Sequence, residues 1–285
     1  MVDFHVHSDY SIDAEGSVDQ YVRAALEAGL SQICFTTHCD LDPSRVERDG
    51  KVKLTGSIVD VTSGWLESYV DEVRQAARTC ADGLKVLCGL EIGYVPGTEP
   101  LIEKTIGAHE FDFILCGVHT LAGVDIVSPG ECRDYFLERG PRQVCEEYFA
   151  SVRQAAASGL FDCIAHLDIY KKCGLGFHGE ALNAAHRGFI EPALGEMARR
   201  NTCLEINSAA LRKGLQYPYP SPDLLVLARE AGVANVTLGS DCHKPADVAW
   251  GLGTCIELAR QSGFDEVAVF EARARATIPL AALAC

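Results

Sequence analysis

Seven short runs of apolar and β-branched residues recur along this chain, and each closes on a polar side chain. The runs cover residues 2–7, 31–37, 84–90, 111–118, 161–165, 202–206 and 235–239. They bring, in order, His5 and His7, then His38, Glu91, His119, His166, Asn207, and finally Asp241 with His243. Stretches with helical periodicity separate them, over 18–28, 65–80, 99–105, 142–157, 180–200 and 222–231, with a last helical region closing the chain. Ser17 is placed as an N-cap before the first, and Gly29 ends it. Strands alternating with helices at this spacing are βα units. Their unbroken apolar character predicts burial on both faces, as in a parallel sheet. A barrel explains why all the polar ends recur, because in that fold the C-terminal strand ends converge on one face. An open doubly wound sheet would spread them along an edge, and no Gly-rich phosphate loop supports it. With no internal repeat or linker, residues 1–285 are expected to form one domain.

The side chains themselves point to metal chemistry. His5 and His7 are two apart, so on a strand both imidazoles face one way. His5, His7, Asp13, His38, Glu91, His119, His166, Asp241 and His243 make nine nitrogen or oxygen donors, more than one ion needs. Two to three divalent ions are therefore expected. Mixed imidazole and carboxylate ligation suits Zn, Mn or Fe and disfavours Ca. Such multinuclear sites activate water and hold the oxygens of a transferring phosphoryl group. Lys171, Lys172 and Arg212 are candidate phosphate binders, with plain solvated surface as the alternative. His109, His178 and His186 lie off the strand ends and are read as structural or exposed. Trp65 and Trp250 are read as core.

Composition narrows the function class. A net charge of -15 argues against gripping a nucleic-acid polymer or an anionic membrane, both of which need basic surface. The thirteen cysteines include no CxxC pair, and most fall inside apolar runs, so reduced buried thiols are expected. Cys39 and Cys242 neighbour candidate ligands, but strand alternation points them away from the site. No apolar run reaches the length of a membrane span, and the N-terminus lacks a signal-like segment. A cytoplasmic location is the expectation; the oligomeric state is not readable. Residues 39–63, with Asp40, Asp42 and several basic residues, form a long connection that is a candidate lid.

The motifs in order are His5-x-His7 with Asp13, Thr37-His38, Gly89-Leu90-Glu91, Val118-His119, Ala165-His166-Leu167-Asp168 and Ser240-Asp241-Cys242-His243. Together they resemble the PHP (polymerase and histidinol phosphatase) family across almost the whole chain. Within it, the stretches 89–94, 161–168, 205–208 and 211–221 look most like the branch that hydrolyses L-histidinol phosphate. The resemblance implies a distorted seven-stranded (β/α)7 TIM-like barrel with a trinuclear metal centre. It implies one ion on His5, His7, Glu91 and Asp241, a second on Glu91, His119 and His166, and a third on Asp13, His38 and His243. Asp13, His38, Glu91, Asp241 and His243 would serve catalysis through those ions. Thr37 departs from the family pattern, which often has Asp there, and leaves the support of His38 to be found, with Asp40 one possibility. The implied reaction is hydrolysis of a small phosphate monoester, L-histidinol phosphate, in histidine biosynthesis. The alternatives are another phosphomonoester or a nucleotide, an amidohydrolase-type hydrolase, and a non-catalytic metal-binding module.

Overall fold

A computed structural model describes residues 1–80 and 83–283. Seven parallel strands form the central sheet: β1 (Val2–Val6), β2 (Gln32–Asp40), β3 (Lys85–Gly93), β4 (Phe113–Gly117), β5 (Cys163–Ile164), β6 (Cys203–Asn207) and β7 (Val236–Gly239). They neighbour one another in chain order. The edges meet where Val6 bridges Cys242 in parallel. There the His7 N–H donates to the Cys242 carbonyl at 3.0 Å, and the Asp241 N–H donates to the His5 carbonyl at 2.8 Å. Those bonds close a distorted (β/α)7 barrel at the two strand ends that carry His5, His7 and Asp241.

Burial on both faces explains the apolar runs. All five residues of β1, β4 and β6 are buried, and Phe4 meets Phe113 edge-on across the interior, with ring centroids 5.5 Å apart. The outer helices turn apolar stripes inward, as Tyr21, Val22 and Ala25 do on Val18–Glu27. Gln20 accepts the Ser17 backbone N–H at 2.9 Å, which holds the start of that helix. Trp65 is buried as expected, but Trp250 is 43% exposed and lies outside any helix, so its core assignment is corrected.

Other departures have local causes. β2 and β3 run past the anticipated ends and pair His38 with Glu91 in register, so these two ligand candidates stand inside a ladder. β5 shrinks to two residues because His166 turns the backbone left-handed. The helix expected over 180–200 is broken, with a short turn at Ala181–Ala184 and a helix at Ile190–Arg200 separated by Gly188 at φ 89°. A helix at Lys171–His178 was not anticipated. The C-terminal region is an antiparallel hairpin, Glu266–Glu271 with Ala274–Pro279, following a helix at Leu252–Gln261. Residues 39–63 contain a hairpin, Lys51–Leu54 with Ser57–Asp60. It is fastened to the loop that carries Asp13, because Ser11 bridges Val52, the Lys53 N–H reaches the Tyr10 carbonyl at 2.9 Å and its ammonium reaches the Ala14 carbonyl at 2.8 Å. This segment is a wall bonded to the barrel mouth and does not have the loose attachment of a lid.

Candidate metal centre

The strand ends bring their polar side chains to a single buried point. Glu91, on β3, is nearly inaccessible, and five imidazoles surround its carboxylate. Oε2 faces His38 Nδ1 at 2.9 Å, His5 Nε2 at 3.3 Å and His7 Nε2 at 3.5 Å. Oε1 faces His166 Nε2 at 3.0 Å and His119 Nε2 at 3.4 Å. Asp241 Oδ1 stands 3.5 Å from His7 Nε2, 3.6 Å from His243 Nδ1 and 3.7 Å from His5 Nε2. Asp13 completes the outer end, with Oδ2 at 3.2 Å from His243 Nε2 and 3.9 Å from His38 Nε2.

These separations decide between a hydrogen-bonded network and a ligand cage. Donor atoms held at about 2.1 Å from one tetrahedral ion stand about 3.4 Å apart. Most of the contacts above fall near that value and beyond the best hydrogen-bond range. His5 Nε2 and His7 Nε2 are buried without a hydrogen-bond partner, which is costly unless something else satisfies them. Three groupings can each present converging donor atoms to one ion: His5 with His7 and Asp241, His5 with Glu91 and His166, and His7 with His38 and His243. The residues present therefore fit divalent ions.

The electrostatics tell the same story for the metal-free protein. Burial opposes protonation of His5, yet Glu205, Glu91 and Asp241 hold its pKa well above the ordinary imidazole range. Burial likewise opposes charge on His38, but Glu91 and Asp13 bring it up to about 10. His7 moves the other way, pushed well down by burial and by His38 and His243. Burial disfavours the Glu91 carboxylate, but His5, His38 and His119 keep it well below its usual range. Protons on imidazoles thus balance the carboxylates where divalent cations would otherwise do so.

Backbone geometry makes room for this packing. The chain is left-handed at His166 (φ 26°) and Asp241 (φ 52°), a conformation that costs a non-glycine residue on the order of 1–3 kcal/mol. Gly117 and Gly239 have no side chain because a Cβ would overlap His119 at the first and Glu205 and His5 at the second.

The PHP domain, as a family, matches residues 3–209. The chain belongs to the PHP family. A probable histidinol-phosphatase of Deinococcus radiodurans is 34% identical over 263 residues, covering 92% of this chain and 94% of that one. The histidinol-phosphatase of Lactococcus lactis is 24% identical, with 94% of each chain covered. A crystal structure of the Lactococcus lactis histidinol phosphate phosphatase, complexed with zinc, L-histidinol and phosphate, superposes with a TM-score of 0.79 at 25% identity, covering 96% of this chain and 98% of that one.

Around this PHP centre the other nominated residues separate. A cavity of about 540 Å³ opens over the cluster and is lined by Lys172 and Arg212, together with Lys213, which the sequence reading did not nominate. Lys171 is placed elsewhere: it is buried, with its ammonium 2.9 Å from Asp168 Oδ2 and 2.8 Å from Ser221 Oγ. Its candidacy as a phosphate binder is therefore corrected to an internal ion pair. Arg212 Nη2 donates to the Ser240 and Asp241 carbonyls at 2.7 Å each, while Nη1 is buried without a partner. Asp40 makes no hydrogen bond to His38 among the described residues and acts on it only as a nearby charge. It packs against Gly93, and burial pushes its carboxyl up to about 6. His38 is held by Glu91 and by Ser11, whose hydroxyl accepts the His38 backbone N–H at 3.2 Å.

Glu205 lies within one of the resembling stretches and is a positioning residue that the strand-end pattern does not reveal. Its Oε1 is 2.6 Å from His5 Nδ1, and its Oε2 accepts the His166 N–H at 2.9 Å and the Asn207 amide at 3.0 Å. A carboxylate there keeps the His5 proton on Nδ1 and leaves Nε2 free. The available signal was a charged residue inside an otherwise apolar strand, two before Asn207 and so on the same face. Cys39 and Cys242 are buried free thiols away from the cavity.

Proposed function

We propose that this chain hydrolyses L-histidinol phosphate to L-histidinol and phosphate, using two to three divalent ions of the Zn, Mn or Fe type. The observation that carries the reading is the buried convergence on Glu91 beneath a cation-lined cavity, in a chain whose relatives along nearly their full length are named histidinol-phosphatases. The Lactococcus protein holding zinc, L-histidinol and phosphate supports both the metal class and the substrate. His5, His7, Glu91 and Asp241 would hold one ion, Glu91, His119 and His166 a second, and Asp13, His38 and His243 a third. Divalent ions there supply Lewis acidity, lowering the pKa of water and neutralising phosphoryl oxygens. The chain's own residues do the rest. Glu205 orients His5, and Glu91 would help to hold more than one ion. Lys172 and Arg212 bind and orient the phosphoryl group from the cavity wall. At the position where amidohydrolase-type sites use a bridging lysine, β3 carries Glu91. We read residues 1–285 as one PHP domain acting on a small molecule in the cytoplasm; among the described residues, no helix is long and apolar enough to cross a membrane.

Steady-state hydrolysis of L-histidinol phosphate against a panel of phosphomonoesters tests this. A kcat/KM of about 10⁴ M⁻¹s⁻¹ or more, confined to L-histidinol phosphate, is expected. Dialysis against a chelator should abolish it, and added Zn or Mn should restore it. Weak activity spread across the panel, or activity indifferent to chelation, would overturn the assignment.

Arg212→Ala tests the phosphate wall. The sequence alone predicts a raised KM with unchanged metal content. The structure adds a second effect, because Arg212 also braces the turn bearing Asp241. A hydrogen bond to a charged group contributes about 1.5–3 kcal/mol, so KM is expected to rise about 10- to 100-fold. Partial metal loss should accompany it, seen in metal analysis of the purified variant. Unchanged KM would leave Arg212 as a brace only.

A further inference from the structure

Another part of the cavity wall has a different charge character from Lys172 and Arg212. It is built from the end of β2 and the 41–63 wall, and its cations are already paired. Arg45 bonds Asp49 and lies 3.0 Å from Glu131. Arg48 reaches Glu131 at 2.6 Å, and Lys51 reaches Asp60 at 3.0 Å. Asp40 is the exception. It lines the cavity, and among the described residues its carboxylate has no hydrogen bond or ion pair. It stands two residues beyond His38 on β2, so it shares that face. Gly93 opposite leaves the notch in which its carboxylate is packed, since a Cβ there would overlap Oδ1. Its nearest charges are the His38 and His119 imidazoles, which would be neutral as metal ligands, so an incoming cation is the partner left for this carboxylate.

Resting on the substrate class proposed above, we infer that Asp40 receives the protonated nitrogen of the substrate. This makes Asp40 the residue that selects phosphomonoesters carrying an ammonium on the carbon next to the ester methylene. The cavity then divides the polar part of the substrate, with Lys172 and Arg212 taking the phosphoryl group and Asp40 the neighbouring ammonium. The ammonium-to-carboxylate pair positions the ester without contributing to bond cleavage, so its loss appears in binding and specificity. Asp40→Asn keeps the shape that the Gly93 notch accepts and removes the charge.

The test compares Asp40→Asn with the unaltered protein, both metal-loaded, on L-histidinol phosphate and on 3-phenylpropyl phosphate, which carries no cationic nitrogen. Expected is a 30-fold or larger loss of kcat/KM on L-histidinol phosphate, mainly through KM, with hydrolysis of the neutral ester unchanged within about twofold. Calorimetric binding of L-histidinol should weaken in parallel, and metal content should stay constant. Equal losses on both esters, or no loss on either, would overturn the assignment. If the variant fails to fold or to retain metal, the unaltered protein decides through calorimetry with L-histidinol and 3-phenylpropanol. A clear preference for L-histidinol supports the cation site, and equal affinity overturns it. Failure of the unaltered protein to hydrolyse L-histidinol phosphate would count against the proposed activity, whereas the two alcohols report on the cation site separately.

Discussion

Replacing Glu91 with glutamine is expected to remove bound metal and activity together, lowering kcat/KM by roughly a thousandfold or more. That loss corresponds to about 4 kcal/mol of the several that metal-assisted charge stabilisation supplies. The substitution is nearly isosteric, so packing around β3 is retained. What changes is charge: five imidazoles face this carboxylate within 3.5 Å, and its burial leaves water no way to replace it. An amide offers one oxygen where the carboxylate offers two. Its nitrogen would face either the His119 and His166 pair or the His5, His7 and His38 group. Metal analysis of the purified variant, kinetics with excess metal and a thermal melt separate the possibilities. A folded protein that has lost metal and is not rescued by excess metal is the expected result. Full metal content with full activity would sink the ligand map.

The second large effect is expected from Glu205→Gln, which touches no proposed ion directly. Each oxygen of Glu205 accepts from a donor: Oε1 from His5 Nδ1, Oε2 from the His166 N–H and the Asn207 amide. Glutamine keeps one acceptor and places an NH₂ against a donor on the other side, leaving a buried clash in any rotamer. The His5 proton is then free to move to Nε2, the nitrogen that must be bare to take a metal. Loss of such an outer partner typically weakens metal affinity about 10- to 100-fold. Metal-competition titration against a chelator measures it. Saturating metal should bring kcat back to within about tenfold of the unaltered protein, a rescue that Glu91→Gln will not show. Unchanged affinity would make Glu205 a packing residue.

Several features were legible because they are local. The imidazoles of His5 and His7 share a face through the two-residue period of a strand, and His38, Glu91, His119 and His166 follow apolar runs that had to be buried. The helix at Val18–Glu27 is written in its stripe and in Ser17 before it. Other features failed where a long-range partner overrode a local signal. Lys171 reads as a surface cation beside Lys172, yet Asp168 and Ser221 draw it inside. The 39–63 segment reads as a long structureless connection, yet its hairpin finds partners at Tyr10, Ser11 and Ala14. The C-terminal segment reads as helical, but Glu266–Glu271 and Ala274–Pro279 pair with each other. Arg273 in their turn then binds Asp162 at 3.0 Å.

The sequence by itself determined the order of the seven barrel strands, the barrel class and the roster of candidate ligating side chains. All three follow from periodicity and from residue chemistry within a few positions. Only the tertiary structure decided which nitrogen meets which carboxylate, that Glu205 governs His5 from two hundred residues away, and that Asp40 is left without a partner. The reason is that barrel closure sets those distances through the bonds joining His5 and His7 to Asp241 and Cys242. Such long-range pairings depend on every intervening element packing at once, and no short stretch of residues encodes them.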